Sequence, residues 1–230
     1  MMSGIFVTGT DTGVGKTYIT AALTYALRKD GIDAVAMKPI ATGSDVNKGI
    51  FKSLDAEILA KYSNIDSKEH ELINPVFLAE EASPYMASKM LNTSIDMSKV
   101  FNAYNELKRR HEFILVEGIG GIMVPIIKGY YVADLIKDLN LPVLIVARAK
   151  LGTINHTMLT VMACKEYKLN IVGIVINMID YNSKVEANTP GIIEELSSVP
   201  IIGCVPLISN ISIDNIPEIA EHIRYDLIIV

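Results

Sequence analysis

The chain has 230 residues, half of them apolar and a fifth charged, enough for one compact domain with a substantial core and with no length to spare for two. Its formal net charge of −5 excludes a general binder of nucleic-acid backbones, and no apolar run is long enough to span a bilayer. The expectation is one soluble, cytoplasmic domain over residues 1–230, gripping any phosphate locally with a few lysines and backbone amides.

The N-terminus, Met1-Met2-Ser3-Gly4-Ile5-Phe6-Val7, lacks a basic stretch followed by a long apolar run, so it reads as a first strand and not as a signal peptide. Thr8-Gly9-Thr10-Asp11-Thr12-Gly13-Val14-Gly15-Lys16-Thr17 follows, and then helical spacing over 16–29. A phosphate chain needs several N–H groups turned to one point, a positive helix end, a lysine for the β/γ oxygens and a hydroxyl for Mg²⁺. Gly13, Gly15, Lys16 and Thr17 supply these parts between a strand and a helix. Gly9 lies one residue too early for the usual spacing, and Thr10 takes the first position.

A second apolar run, Ala34 to Met37, ends in Lys38-Pro39-Ile40-Ala41-Thr42-Gly43-Ser44. A lysine and a hydroxyl at that strand end can neutralise a transferring phosphoryl group or an anionic substrate. Asp55 opens the next helical segment, 54–63, where a carboxylate is also attracted by the helix dipole alone. The stretch Asn64–Asn92, interrupted by Pro75 and Pro84, reads as irregular: a lid, or a loop packed beside the site.

Helical spacing returns over 96–110, and the run Phe113 to Val116 ends in Glu117, before Gly118-Ile119-Gly120-Gly121. An apolar strand finishing in an acid suits a Mg²⁺ ligand opposite a P-loop threonine. Thr17, Asp55 and Glu117 therefore make an oxygen set for one hard cation, while no His/Cys set of comparable quality favours zinc. Further helical spacing covers 130–139, 153–168 and 189–198, between apolar runs at Val143–Val146, Ile171–Ile176 and Ile201-Ile202. His156 shares its helix with Leu159, Val161 and Met162, so it reads as an oriented structural histidine, with Met158 and Met162 in the core. Cys164 and Cys204 read as small buried apolar residues. Strands apolar at nearly every position, alternating with helices, imply a mostly parallel sheet with helices on both faces, an α/β fold of the P-loop NTPase type. In such sheets ligands gather outside the carboxyl strand ends.

GTDTGVGKT at Gly9–Thr17, KPIATGS at Lys38–Ser44, Asp55, VEGIGG at Val116–Gly121 and KLGTINH at Lys150–His156 together resemble one family, dethiobiotin synthetase. The resemblance implies ATP as co-substrate, Mg²⁺, a homodimer, and 7,8-diaminopelargonate with CO₂ or bicarbonate as substrates. It implies a carbamate that attacks the ATP γ-phosphate, and a carbamic–phosphoric anhydride that the neighbouring amine closes into a cyclic urea. Lys16 and Lys38 would neutralise the phosphoryl group, Thr12 would fix substrate over the loop, and Thr42 would bond the carbamate. The nucleotide would lie along Gly13, Val14, Gly15 and Lys16 to Tyr18, and along Glu117, Gly118, Ile119 and Gly120, with Thr17 and Asp55 shared with the metal. Asn177 with Met178 would meet the base, near Pro206, Leu207 and Ile208. Leu151, Gly152, Thr153 and Asn155, at a free helix N-terminus, would take the substrate's carboxyl tail across the dimer interface. Two departures stand out. Gly13 replaces an acidic residue of some relatives, and Ser212-Ile213-Asp214 stands where relatives place a nucleotide-contacting glutamate.

Two rivals share the fold. A ParA/MinD-like switch needs an early P-loop lysine, at the place held by Asp11. A synthetase of the cobyrinic acid type usually continues into a glutaminase domain, for which 230 residues leave no room.

Overall fold

A computed structural model describes residues 4–43 and 53–229. Ser44 and Met1 to Ser3, named above, lie outside the described residues. The chain begins with β1 (Gly4–Gly9), α1 (Lys16–Lys29), β2 (Ala34–Met37), β3 (Ile40–Thr42) and α2 (Leu54–Ser63). It continues through α3 (His70–Ile73), β4 (Val76–Leu78), α4 (Pro84–Met90), α5 (Met97–Arg110) and β5 (Phe113–Gly121). A hairpin of β6 (Pro125–Ile127) and β7 (Tyr130–Tyr131) leads to α6 (Val132–Leu139) and β8 (Val143–Arg148). The last elements are α7 (Thr153–Glu166), β9 (Ile171–Ile179), α8 (Lys184–Ser197), β10 (Ile201–Pro206) and α9 (Ile216–Glu221).

Six strands form one sheet in the order β10-β9-β8-β1-β5-β2, with every pairing parallel. Every residue of β1 and β2 is buried, because helices cover both faces and leave no polar side to the sheet. On the covering layers, α1 packs against α2 and α9, and α7 against α8. Strand addition reverses at β1, with β5 and β2 on one side and β8 to β10 on the other. The crevice beyond the carboxyl end of β1 is thus the switch point where open α/β sheets hold ligands.

The helical spacings over 16–29 and 54–63 match α1 and α2 end for end. Elsewhere the structure corrects the sequence reading. The irregular stretch 64–92 holds α3, β4 and α4, and β4 pairs in parallel with β3 in a separate small sheet. Tyr130 and Tyr131 belong to β7, so the helix there begins at Val132. The α8 helix begins at Lys184, capped by Ser183, and runs through Pro190 instead of starting beside it. Leu159 and Met162 are 56% and 61% exposed, and Met158 is half-buried, so the apolar residues of α7 are not one core stripe. Cys164 is buried but Cys204 only half so. Among the described residues no helix is long and apolar enough to cross a membrane.

Candidate active site

The loop after β1 enters α1 through Gly15, whose φ of 90° is the left-handed region that glycine adopts without a Cβ penalty. A Cβ there would lie 2.1 Å from Asn177 Nδ2, so the fit tolerates no side chain. Asn177, 2% exposed at the end of β9, donates through Nδ2 to the Val14 carbonyl at 2.9 Å. Its Oδ1 accepts from the Met178 N–H at 2.9 Å. The strand end thus braces the loop from beneath. The α1 helix has no side-chain cap and no acid in its first turn, so its leading N–H groups remain free for an anion.

Lys16 is buried, and its Nζ donates to the Asp11 carbonyl at 3.0 Å. Burial, then the neighbouring Lys38 ammonium, bring its pKa down to about 8. An arriving phosphate would supply the counter-charge this lysine lacks.

The chain after β2 places Lys38 in the interior, 4% exposed. Its Nζ lies 2.6 Å from Glu117 Oε1, 2.9 Å from Asp55 Oδ2 and 3.2 Å from the Gly118 carbonyl. Thr17 donates its hydroxyl to the same Glu117 Oε1 at 2.9 Å. Glu117 does not end its strand. It sits fully buried in the middle of β5, because pairing with β1 continues to Gly121. Burial pushes the Glu117 carboxyl up, against the pull of Lys38. Burial opposes charge on Lys38 and Asp55 as well, but their ion pairing outweighs it, raising Lys38 and lowering Asp55. With an ammonium 2.6 Å away and a threonine hydroxyl donating to the same oxygen, we read Glu117 as a carboxylate.

The second oxygen of Glu117 is buried without a hydrogen-bond partner. An orphaned carboxylate oxygen beside a threonine hydroxyl and the half-exposed Asp55 fits a hard cation. Among the described residues no three His, Cys, Asp or Glu side chains converge to hold an ion by themselves. A cation here would complete its shell with phosphate and water, as magnesium does.

One cavity of about 610 Å³ joins these groups. Thr12, Gly13, Gly15, Lys16, Thr17 and Tyr18 line one wall, Lys38, Thr42 and Asp55 another, with Glu117, Ile119, Gly120 and Met178 between them. Of the other sequence-predicted residues, Val14 is buried behind the loop and Gly118 lies under Lys38. Pro206 closes β10 opposite Ile179, and Leu207 and Ile208 follow it, all three outside the lining. Ile213, near the missing glutamate, accepts a hydrogen bond from Tyr62 at 2.7 Å. Leu151, Gly152, Thr153 and Asn155 stand at the N-terminus of α7 and do not line this cavity. His156 is exposed and lines a second, open cavity with Asp11, Met123 and Leu159, so it is no core histidine.

Sequence reasoning missed the wall formed by Leu54, Ile58, Glu81, Ala82 and Ser83. One signal was available for part of it. Ser83-Pro84 is a cap followed by proline in the first helical turn, and Ser83 accepts from the Met86 N–H in the structure.

Comparison with known proteins adds to this geometry. A family described as "AAA domain" matches residues 3–214. The ATP-dependent dethiobiotin synthetase BioD of Nitrosopumilus maritimus is 48% identical over 211 residues, 92% of either chain. That of Thermodesulfovibrio yellowstonii is 39% identical over 229 residues, covering 96% of this chain and 95% of the relative. Among solved structures, the MinD cell division protein of Aquifex aeolicus superposes with a TM-score of 0.56 at 20% identity. That superposition covers 96% of this chain and 88% of the other, and it speaks for the fold alone.

Proposed function

This chain belongs to the dethiobiotin synthetase family, and from that premise we propose how its cavity runs the family's reaction. It is an ATP-dependent cyclo-ligase of biotin biosynthesis, making carbon–nitrogen bonds. In the proposed sequence, diaminopelargonate takes up CO₂ to give a carbamate, whose oxygen attacks the γ-phosphorus as the bond to ADP breaks. The second amine, as its free base, then attacks the carbonyl carbon of the mixed anhydride, phosphate leaves with the C–O electron pair, the nitrogen gives up a proton to solvent, and the urea ring closes.

The observation that carries this reading is Lys38, an ammonium buried in the same cavity as the phosphate loop and within 2.9 Å of two carboxylates. Two anions must meet for a carbamate to attack a triphosphate. Lys16 and Lys38 would lower that repulsion most as the charges approach, which accelerates the chemical step more than it tightens binding. Thr42 and Thr12 would hold the carbamate over the loop. Thr17, Asp55 and Glu117 would hold Mg²⁺, which when bound supplies positive charge to the β- and γ-phosphate oxygens. The base would lie toward Asn177, Met178 and the stretch Pro206–Ile208. Asn177 spends one hydrogen on Val14 and one lone pair on Met178, which leaves one of each for a base edge.

We further propose one synthetase domain acting in the cytoplasm as a homodimer. Leu151 is 93% exposed, and with Leu159 and Met162 it puts apolar surface on α7 and its entrance loop. A second copy would cover this surface and bring the α7 entrance, with Leu151, Gly152, Thr153 and Asn155, to the carboxyl tail of the substrate. That entrance has no side-chain cap, and the Thr153 hydroxyl is buried without a partner.

The direct test supplies diaminopelargonate, bicarbonate and MgATP, and follows dethiobiotin, ADP and phosphate. Equal amounts of the three products are expected, with no stimulation of ATP hydrolysis by DNA, lipid or glutamine. ATP hydrolysis that ignores diaminopelargonate would overturn the reading.

A further inference from the structure

We propose that Glu81 holds the second amino group of the diamine, and so selects a vicinal diamine over a monoamine. This rests on the functional reading above, which supplies the diamine.

Three carboxylates line the main cavity: Asp55, Glu81 and Glu117. Two of them are engaged, since Lys38 bridges Asp55 and Glu117 and Thr17 also donates to Glu117. Glu81 is exposed and has no hydrogen-bond or ion-pair partner among the described residues. Among the described residues it is the one carboxylate of this lining without a partner, in a cavity that also carries two lysines.

The small sheet explains why it stands there. In the β3–β4 pairing, Thr42 lies opposite Leu78, and the Gly43 N–H donates to the Leu78 carbonyl at 3.1 Å. The chain leaving β4 is thereby held beside Thr42. It then folds tightly, the Ala82 N–H donating to the Glu80 carbonyl at 2.9 Å, so Glu81 occupies the apex of a three-residue turn. The group read as holding the carbamate and the free carboxylate thus come from neighbouring strand ends, and the carbamate and the second amine sit on adjacent carbons of the substrate.

The charges agree with this placement. An aliphatic amine is an ammonium at neutral pH, and it is repelled from the Lys16 and Lys38 side. An unpaired carboxylate elsewhere in the same lining draws it away from the lysines and fixes which nitrogen faces the carbonyl carbon.

Calorimetric binding of 7,8-diaminopelargonate and of 7-aminopelargonate to the parent and to Glu81→Gln tests the assignment, without ATP so that no chemistry intervenes. The parent is expected to prefer the diamine, and Glu81→Gln to lose about tenfold on the diamine while moving less than about twofold on the monoamine. In turnover, Glu81→Gln should raise KM for the diamine with kcat and the KM for ATP little changed, and Glu81→Asp should recover part of the loss. An unchanged melting temperature would show that the exposed turn still folds. Diamine binding within about twofold of the parent, or an equal loss on both amines, overturns the role of Glu81. A parent that makes no dethiobiotin overturns the functional reading as well, whereas an active parent with an indistinguishable variant overturns only this residue.

Discussion

Two helices of this molecule begin in the same way and end up in opposite circumstances. α1 and α7 follow neighbouring parallel strands, and each starts from a left-handed glycine, Gly15 at φ 90° and Gly152 at φ 95°. Neither has a side-chain cap or an acid in its first turn. Yet Gly15 is pressed against Asn177, while nothing stands within 4 Å of a Cβ placed on Gly152. The entrance of α1 is finished by its own chain, with the Lys16 ammonium above and the Asn177 amide below. The entrance of α7 opens between an exposed Leu151 and an unpaired Thr153 hydroxyl. A bare helix N-terminus is therefore only half of an anion site, and what the tertiary structure adds decides whether one chain suffices.

The comparison can be broken first on the α1 side, where the expected effects are largest. Lys38→Gln keeps length and hydrogen bonding but removes charge, and should cost about two to three decades in kcat while ATP still binds. Turnover within about threefold of the parent would reduce Lys38 to a structural lysine. Gly15→Ala combines left-handed strain with loss of the buried Asn177–Val14 bond, so ATP affinity should fall by about two decades in direct titration. Gly152→Ala, at nearly the same φ with open space around it, should cost about 1–2 kcal/mol of stability and leave ATP affinity unchanged. Equal effects of the two glycine variants on ATP binding would dissolve the distinction. Leu159→Glu should shift the protein from dimer to monomer in light scattering, with ATP binding intact and KM for diaminopelargonate raised about tenfold. The smallest effect concerns the base. With one hydrogen and one lone pair of Asn177 left for the base, discrimination of ATP over GTP should stay below about a thousandfold, the reach of one or two hydrogen bonds.

The α1 side was also the more legible half of the site. The residues from Gly13 to Thr17 are contiguous, and Lys38 and Glu117 each follow an uninterrupted apolar run, so their nearness to the carboxyl side of the sheet could be read from pattern, although the end of the strand at Glu117 could not. What could not be read was how deep those ends lie. Glu117 is in mid-strand because β5 continues along β1 through glycines that give no apolar signal. The wall bearing Glu81 was hidden for another reason. β3 and β4 are three residues each, too short for a period to show, and their pairing joins stretches far apart in the chain. On α7 the pattern misled outright. Leu159 and Met162 satisfy helical spacing, but a helix that lends apolar residues to the surface looks from sequence like one that buries them all.

The position of β1 also bears on how the molecule comes into being. β1 leaves the ribosome first among the strands, yet its neighbours are among later ones: Gly4 pairs with Ile114, and Phe6 with Val143. Until β8 has been synthesised, the strand that carries the phosphate loop has at most one flank, and Asn177, which braces the loop, arrives later still. Parallel pairings between distant stretches form slowly, because loop-closure entropy is lost before any contact is gained. The growing chain therefore carries β1 unpaired until β5 emerges, and flanked on one side only until β8 follows, a state prone to association. The braced loop is complete only once Asn177 has emerged, so ATP can reward the assembled site but cannot template the earlier steps.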